Sequence, residues 1–325
     1  MDALPMAAIV TAAEKILRAD ILLVAVGAGF SADSGLPVYK DLANVQAYYE
    51  MGVDYQDLCD PYWVYEDYSV FLGFWGDSIN LYRNTTPHPG YDILKRWKER
   101  FTTTLVKDKL ADNSTNTTTA PFFIFTSNVD SHCTRGFAKN EVYDVHGNTD
   151  DWQCAGLKER SPPCSTNILT LPPTYRFDVD PKTMLVHDTT SPMFECPQCK
   201  GPLRPNVLMF RDKHWIQNQA VADRYHAWEN AVLEVLEENP TKRLVVLEIG
   251  CGTRVHTVRH HCEELVQAVL EAGHGQATLI RVNPEVDDPD ESEVAYPVLI
   301  NIHATGLATL QAIDRCIQSG LVSQS

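Results

Sequence analysis

A doubly wound parallel α/β sheet, interrupted by a small cysteine-bearing module, is the fold class that this 325-residue sequence predicts. Three observations predict it. Compact apolar runs at Ile21 to Val26, Phe122 to Thr126, Arg243 to Ile249 and Thr278 to Val282 read as strands buried on both faces. Helical patterns at Ala7 to Ala19, Ala220 to Glu237 and His260 to Ala272 flank or separate them, and that alternation makes a Rossmann-like sheet. From Cys154 to Cys199 the chain turns Pro-rich and loses periodicity, as an inserted module does.

Taken in order, the first helix leads into the first strand, which runs directly into a glycine turn at Gly27 and Gly29. Between the first two strands, Tyr39 to Tyr82 holds 12 of the 30 aromatic residues, too apolar for a linker and too irregular for one helix. It reads as a helical insertion, around 42–95, folded over the sheet. The tract Asp112 to Thr119 has no apolar face and reads as a surface loop. The resulting organisation is a sheet domain from 1–145 and 205–325, with the small module at 146–204.

Acidic residues number 43 against 27 basic ones, a net charge of -16, with no basic stripe able to neutralise phosphates. Direct nucleic-acid binding is therefore excluded as an expectation, and a small-molecule or basic-peptide partner is favoured. Nine cysteines in no dense, even pattern and a start without a signal-peptide profile point to a reducing compartment, the cytoplasm or nucleus. No apolar run is long enough to cross a membrane.

Three stretches carry candidate chemistry. In Gly27-Ala28-Gly29-Phe30-Ser31-Ala32-Asp33-Ser34-Gly35, glycines after a buried strand allow backbone N–H groups to approach a pyrophosphate. The final glycine falls six residues after the second, so this is not the ordinary dehydrogenase fingerprint. Asn128 and Asp130 follow the second strand, where a doubly wound sheet presents ligand-binding groups. His146, beside Gly147 at the end of a short alternating run, is the best general base available, because imidazole titrates near neutrality. Separately, Cys196-Pro197-Gln198-Cys199 is half of a tetrahedral zinc site.

These stretches resemble the sirtuin family. GAGFSADSGLPVYKD is similar to the sirtuin cofactor loop, Thr126-Ser127-Asn128-Val129-Asp130 to its Thr-Gln-Asn-Ile-Asp, Val145-His146-Gly147 to its His-Gly, and Arg281-Val282-Asn283-Pro284-Glu285 to its Ile-Asn-x-Glu. The motifs occur in the family's order over roughly Ala13 to Gln311. The resemblance implies an NAD-consuming protein-lysine deacylase. Its catalytic residues would be His146 and Asn128. The cofactor would be held by Gly27, Ala28, Gly29, Ser31, Asp33, Pro37, Tyr39, Lys40, Ser127, Asn128, Asp130, His146, Gly250, Gly252, Thr253, Asn283, Glu285 and Thr305. Asn128 would hold a ribose hydroxyl and water, and Asp130 the nicotinamide carboxamide. The acyl-lysine oxygen would attack the ribose carbon as nicotinamide leaves. His146 would then activate the neighbouring hydroxyl to receive the acyl group, giving O-acyl-ADP-ribose.

The implied zinc ligands are Cys154, Cys164, Cys196 and Cys199, holding one structural ion. Nine residues separate Cys154 from Cys164 where the family has two to four, so Cys164, His187 or no residue completes the set. Val207, Leu208 and Phe210 resemble the strand that pairs with the substrate backbone, but Phe-Gly-Glu has become Phe210-Arg211-Asp212. Ser127 replaces Gln and Lys40 replaces Arg. These departures keep open an ADP-ribosyltransferase or NAD glycohydrolase, and a non-enzymatic NAD sensor or scaffold.

Overall fold

The computed structural model describes residues 4–101, 120–159, 161–253, 255–273, 276–285 and 298–322. The tract Asp112 to Thr119 lies outside these residues, as do Arg254 and the side chains of Tyr39 and Lys40. Helix α1 (Met6–Arg18) precedes β1 (Ile21–Val26), and the glycine turn leads into the short α2 (Ala28–Ala32). The aromatic insertion forms α3 (Gln46–Met51), α4 (Tyr55–Leu58), α5 (Trp63–Glu66) and α6 (Tyr68–Asn84), followed by α7 (Gly90–Lys98). Next come β2 (Phe122–Thr126), α8 (His132–Gly136), β3 (Val142–Asp144), β4 (Gly147–Cys154), β5 (Ile168–Thr170) and β6 (Leu203–Val207). The chain closes with α9 (Gln219–Glu238), β7 (Arg243–Ile249), α10 (Thr257–Glu271), β8 (Gln276–Val282), β9 (Leu299–Ile302) and α11 (Gly306–Gln318).

Six strands form a parallel sheet in the order β3-β2-β1-β7-β8-β9. The pleat divides β1 cleanly. Leu22, Val24 and Val26 enter one core with α1, α7 and α11, while Ile21, Leu23 and Ala25 enter the other with α9 and α10. Strand order reverses between β1 and β7, so the crevice beyond their C-terminal ends is the topological switch point of the sheet.

The aromatic insertion corrects one expectation. From α3 to α6 it does not lie over the parallel sheet; only its last residues, at the start of α7, do. Tyr48, Phe71, Phe74 and Trp75 share a third core with Trp152, Phe177, Phe194 and Val207, built around the antiparallel sheet β5-β4-β6. Two glycines on α6 explain the choice: a Cβ on Gly73 would overlap Met184 O, and one on Gly76 would come within 2.6 Å of the Phe177 ring. The helix therefore lies directly on the segment that follows β5. Strand β6, assigned by sequence partly to the sheet domain, also pairs with β4 in this smaller unit. Its helices have local reasons to start, since Asp67 caps α6 by accepting from Ser69 N–H and Val70 N–H.

Candidate functional site

The glycine turn is held by close backbone packing. A Cβ on Gly27 would lie 2.7 Å from Gly250 O, and one on Gly29 would lie 2.8 Å from Gly250 Cα. Gly250, at φ +66°, has no room for a side chain because Phe30 N and Gly29 press against it. The turns after β1 and β7 thus interlock at the switch point. This changes the role of the loop's N–H groups: Gly27 N–H donates to Ile249 O, Gly29 N–H to Gly250 O and Phe30 N–H to Gly27 O. Those donors are spent within the protein, contrary to the expectation that they serve a pyrophosphate. Gly252 is exposed, with no atom within 4 Å of an added Cβ, and half-buried Thr253 follows it.

The residues after β2 dock onto this turn. The Asn128 side-chain amide donates to Gly27 O at 2.9 Å and to Ser31 Oγ at 3.1 Å. The Ser31 hydroxyl donates in turn to Asp130 Oδ2 at 2.5 Å, while Asp130 Oδ1 accepts from His132 N–H at 2.8 Å. Ser31, Asn128 and Asp130 are all buried. Three residues from two distant segments therefore form one polar cluster, which an isolated apolar crossover has no need of. Ser127 N–H donates to Val26 O, and its side chain is half-buried.

His146 enters from the start of β4, where Gly147 at φ +73° lies so close to Asn206 O that only glycine fits. The imidazole is half-buried, and its Nε2 is 3.3 Å from Thr257 Oγ1 on the first turn of α10. Burial holds its pKa below the ordinary 6.5, so the neutral form, the base, predominates at neutral pH.

The other implied cofactor residues divide. Asn283 donates to Cys251 O at 3.0 Å and so braces the turn after β7, while its Oδ1 accepts from exposed Glu285 N–H. Asp33 Oδ2 accepts from Leu307 N–H at 2.6 Å, where it caps α11 just after exposed Thr305. Ala28 is exposed and Pro37 half-buried along the same loop.

On the substrate side, Val207 pairs with Gly147, Leu208 N–H donates to His146 O, and Phe210 N–H donates to Cys59 O. Exposed Leu208 and half-buried Phe210 follow the strand end. Arg211 takes the left-handed conformation, φ 57°, that a glycine adopts most easily, and its guanidinium turns to Asp60 at 3.4 Å and Asp57 at 3.9 Å.

Cys154, Cys164, Cys196 and Cys199 bring their sulfur atoms within 4.8 Å of one another. The Cys154–Cys199 and Cys164–Cys196 separations are 3.6 and 3.5 Å, close to the roughly 3.8 Å edge of a tetrahedron with Zn–S bonds of about 2.3 Å. Burial opposes ionisation of Cys196, but N–H groups of Cys199 and Gln198 outweigh it and bring the thiol down to about 7. The donor set fits zinc. The long loop brings Cys164 back, and His187 instead faces Asp180 at 3.7 Å. The other five cysteines are buried and unpaired by disulfides.

Sequence reading missed two buried ion networks. Below the turn after β7, Arg281 binds Glu248 at 2.8 Å and Glu263 at 2.7 Å, while Arg259 donates to Cys251 O. Arg83, with a side chain only 4% exposed, joins α6 to Asp150 at 2.6 Å and to Pro172 O and Tyr175 O.

A doubly wound sheet with paired turns at its switch point, a polar cluster there and an inserted four-cysteine unit define a class of α/β architecture. More narrowly, the chain has the fold of the Sir2 homologues. A Sir2 homologue mutant in complex with 2′-O-acetyl ADP ribose matches over 97% of this chain and 98% of its own, at 15% identity and a TM-score of 0.59. A Sir2 homologue–NAD complex matches over 96% and 94%, at 16% identity and a TM-score of 0.56. A Sir2 bound to acetylated peptide matches over 95% and 97%, at 16% identity and a TM-score of 0.55. No family model and no curated protein matches the sequence.

Proposed function

We propose that the protein is an NAD-dependent protein-lysine deacylase whose structural zinc ion is held by Cys154, Cys164, Cys196 and Cys199. The observation that carries this reading is the Ser31–Asn128–Asp130 cluster at the switch point, with His146 just before β4 on a segment whose Val145 N–H and Thr149 N–H bond to Thr126 O and Val129 O on either side of Asn128. The complexes of the Sir2 neighbours with NAD, 2′-O-acetyl ADP ribose and acetylated peptide support it. Bound NAD supplies an electrophilic ribose carbon and a nicotinamide leaving group. Asp130, gripped by Ser31 and by His132 N–H, is fixed to receive the carboxamide. Asn128, held by Gly27 O and Ser31 Oγ, would bind a ribose hydroxyl, and neutral His146 would remove the proton from the hydroxyl that accepts the acyl group. Positioning alone can contribute about 7–11 kcal/mol to such a step. The acidic chain suits a lysine-rich substrate.

One observation favours a second reading, ADP-ribosyl transfer or NAD hydrolysis. Leu208 N–H and Phe210 N–H already bond within the chain, and a side chain occupies position 211. Both features weaken strand pairing with a peptide. Mass spectrometry after incubation with NAD and acyl-lysine peptides separates the outcomes. O-acyl-ADP-ribose supports deacylation, free ADP-ribose the hydrolase, and added mass on protein the transferase. His146→Ala abolishes the first product while sparing nicotinamide release, and intact deacylation by that variant would overturn the assigned base.

A further inference from the structure

Behind the Ser31–Asp130 pair sits a group that the chemistry above does not use. Tyr91, on the first turn of α7, is 2% exposed, yet its hydroxyl has no hydrogen-bond partner among the described residues. Its ring is wedged against Phe30 at 4.6 Å and His88 at 5.0 Å, with His132 beyond at 6.1 Å. His88 Nε2 in turn contacts Phe30 O at 2.9 Å, so the ring cannot be withdrawn without moving the cofactor loop. The phenol faces Ser31 and Asp130. Burial together with the nearby Cys133 and Asp130 raises its pKa well above 10, and the adjacent Ser31 hydroxyl, close but without the geometry of a formed hydrogen bond, only partly opposes the rise, so the phenol stays a proton donor. Leaving such a donor unmade costs about 1–3 kcal/mol, whereas phenylalanine fills the same space without that penalty.

Acceptor capacity lies next to it. Ser31 Oγ donates to Asp130 Oδ2 and accepts from Asn128, which leaves one lone pair free. A carboxamide seated against Asp130 competes for the carboxylate oxygen that Ser31 now holds, and releases the hydroxyl to turn toward α7. We propose that Tyr91 is a positioning residue whose hydroxyl completes its hydrogen bond to Ser31 only when the nicotinamide end of the dinucleotide occupies the site. This rests on the NAD-binding reading above. In the free protein the phenol is a held-back donor; in the complex it pins Ser31 and therefore the loop that carries it.

The test uses two ligands that differ at one end. Titration calorimetry with NAD and with ADP-ribose, which lacks nicotinamide, is run on the full chain and on Tyr91→Phe, alongside the melting temperature without ligand. The expected result is NAD binding weakened about tenfold, ADP-ribose binding unchanged within about twofold, and an unliganded melting temperature that is equal or higher. A purely structural tyrosine would move both affinities together and lower the melting temperature. Equal loss for both ligands, or no loss for NAD, overturns the assignment of Tyr91. Failure of the unsubstituted protein to bind either ligand is a different result: it overturns the cofactor reading, and the role of Tyr91 with it.

Discussion

The two halves of this molecule are held by different physics. The parallel sheet needs no staple: β1 is buried along its whole length and is shared between two apolar cores. The smaller unit has a three-stranded sheet whose outer strand β5 is only three residues long, and it gathers its core from the aromatic helices and from a four-thiol cluster. A small unit with little regular structure has too little buried area to stand alone, so it borrows helices from before β2 and gathers four thiols in a set that fits a metal ion. The lesson is that the apparent insertion and the cysteine module, far apart in sequence, share one core.

Metal removal is the sharpest way to break the comparison. Chelation is expected to collapse amide-exchange protection in β4, β6 and α6 while leaving β1, β7 and β8 protected; uniform loss would show that the halves are not separable. Gly250→Ala acts on the other half. Its Cβ has no room against Phe30 N, and the left-handed backbone adds strain, so a loss of about 2–4 kcal/mol is expected with zinc content unchanged by metal analysis. Arg83→Ala strikes the joint between α6 and β4, and leaves Asp150 without its buried partner. Chemical denaturation should register a loss of about 2–4 kcal/mol, with a separate early transition for the smaller unit.

Two pH effects are smaller. His146 titrates below 6.5 in the folded protein, so the acid limb of the proposed deacylation should fall below pH 6.5, and a limb above that value would contradict its burial. Asp144, at the end of β3, is pushed up to about 7 by burial, with Asp130 and Asp151 adding to the effect and Asn148 opposing it. Between its ordinary 3.8 and about 7 the folded state holds a proton that the unfolded state has released. Stability from this residue therefore falls as pH rises through that window and is level above it. Asp144→Asn should flatten that slope in denaturation midpoints measured from pH 4 to 8.

Much of the parallel sheet was legible because strands buried on both faces leave continuous apolar runs such as Ile21 to Val26. The partner of the aromatic insertion was not, because an apolar helix carries no label for which of two cores it will enter. Gly73 and Gly76 are the signal that decides it, and they speak only once Met184 and Phe177 are placed beside them. The same holds in the site. Asn128, Asp130 and His146 stand out as polar residues at strand ends, whereas Glu248 and Arg281 become a pair only through the β7–β8 register. Tyr91 reads as core in any sequence, since an unpartnered hydroxyl is invisible until its surroundings are known. The glycine loop was found for a partly mistaken reason: its glycines admit another turn, and several of its N–H groups are already engaged.

Strand β4 has one more implication. It starts next to His146 and ends at Cys154, so the imidazole and the first thiolate are the two ends of a single rod. The distance along that rod is set by the pleat, at about 3.3 Å per residue, and only the register shift between Asn148 and Trp152 interrupts it. The stretch between Cys164 and Cys196 is under no such ruler, because the cost of closing a loop grows only slowly with its length. Descendants of this chain are thus free to lengthen or trim that loop without disturbing chemistry at the crevice. One residue added or lost within β4 would turn every later side chain to the opposite face.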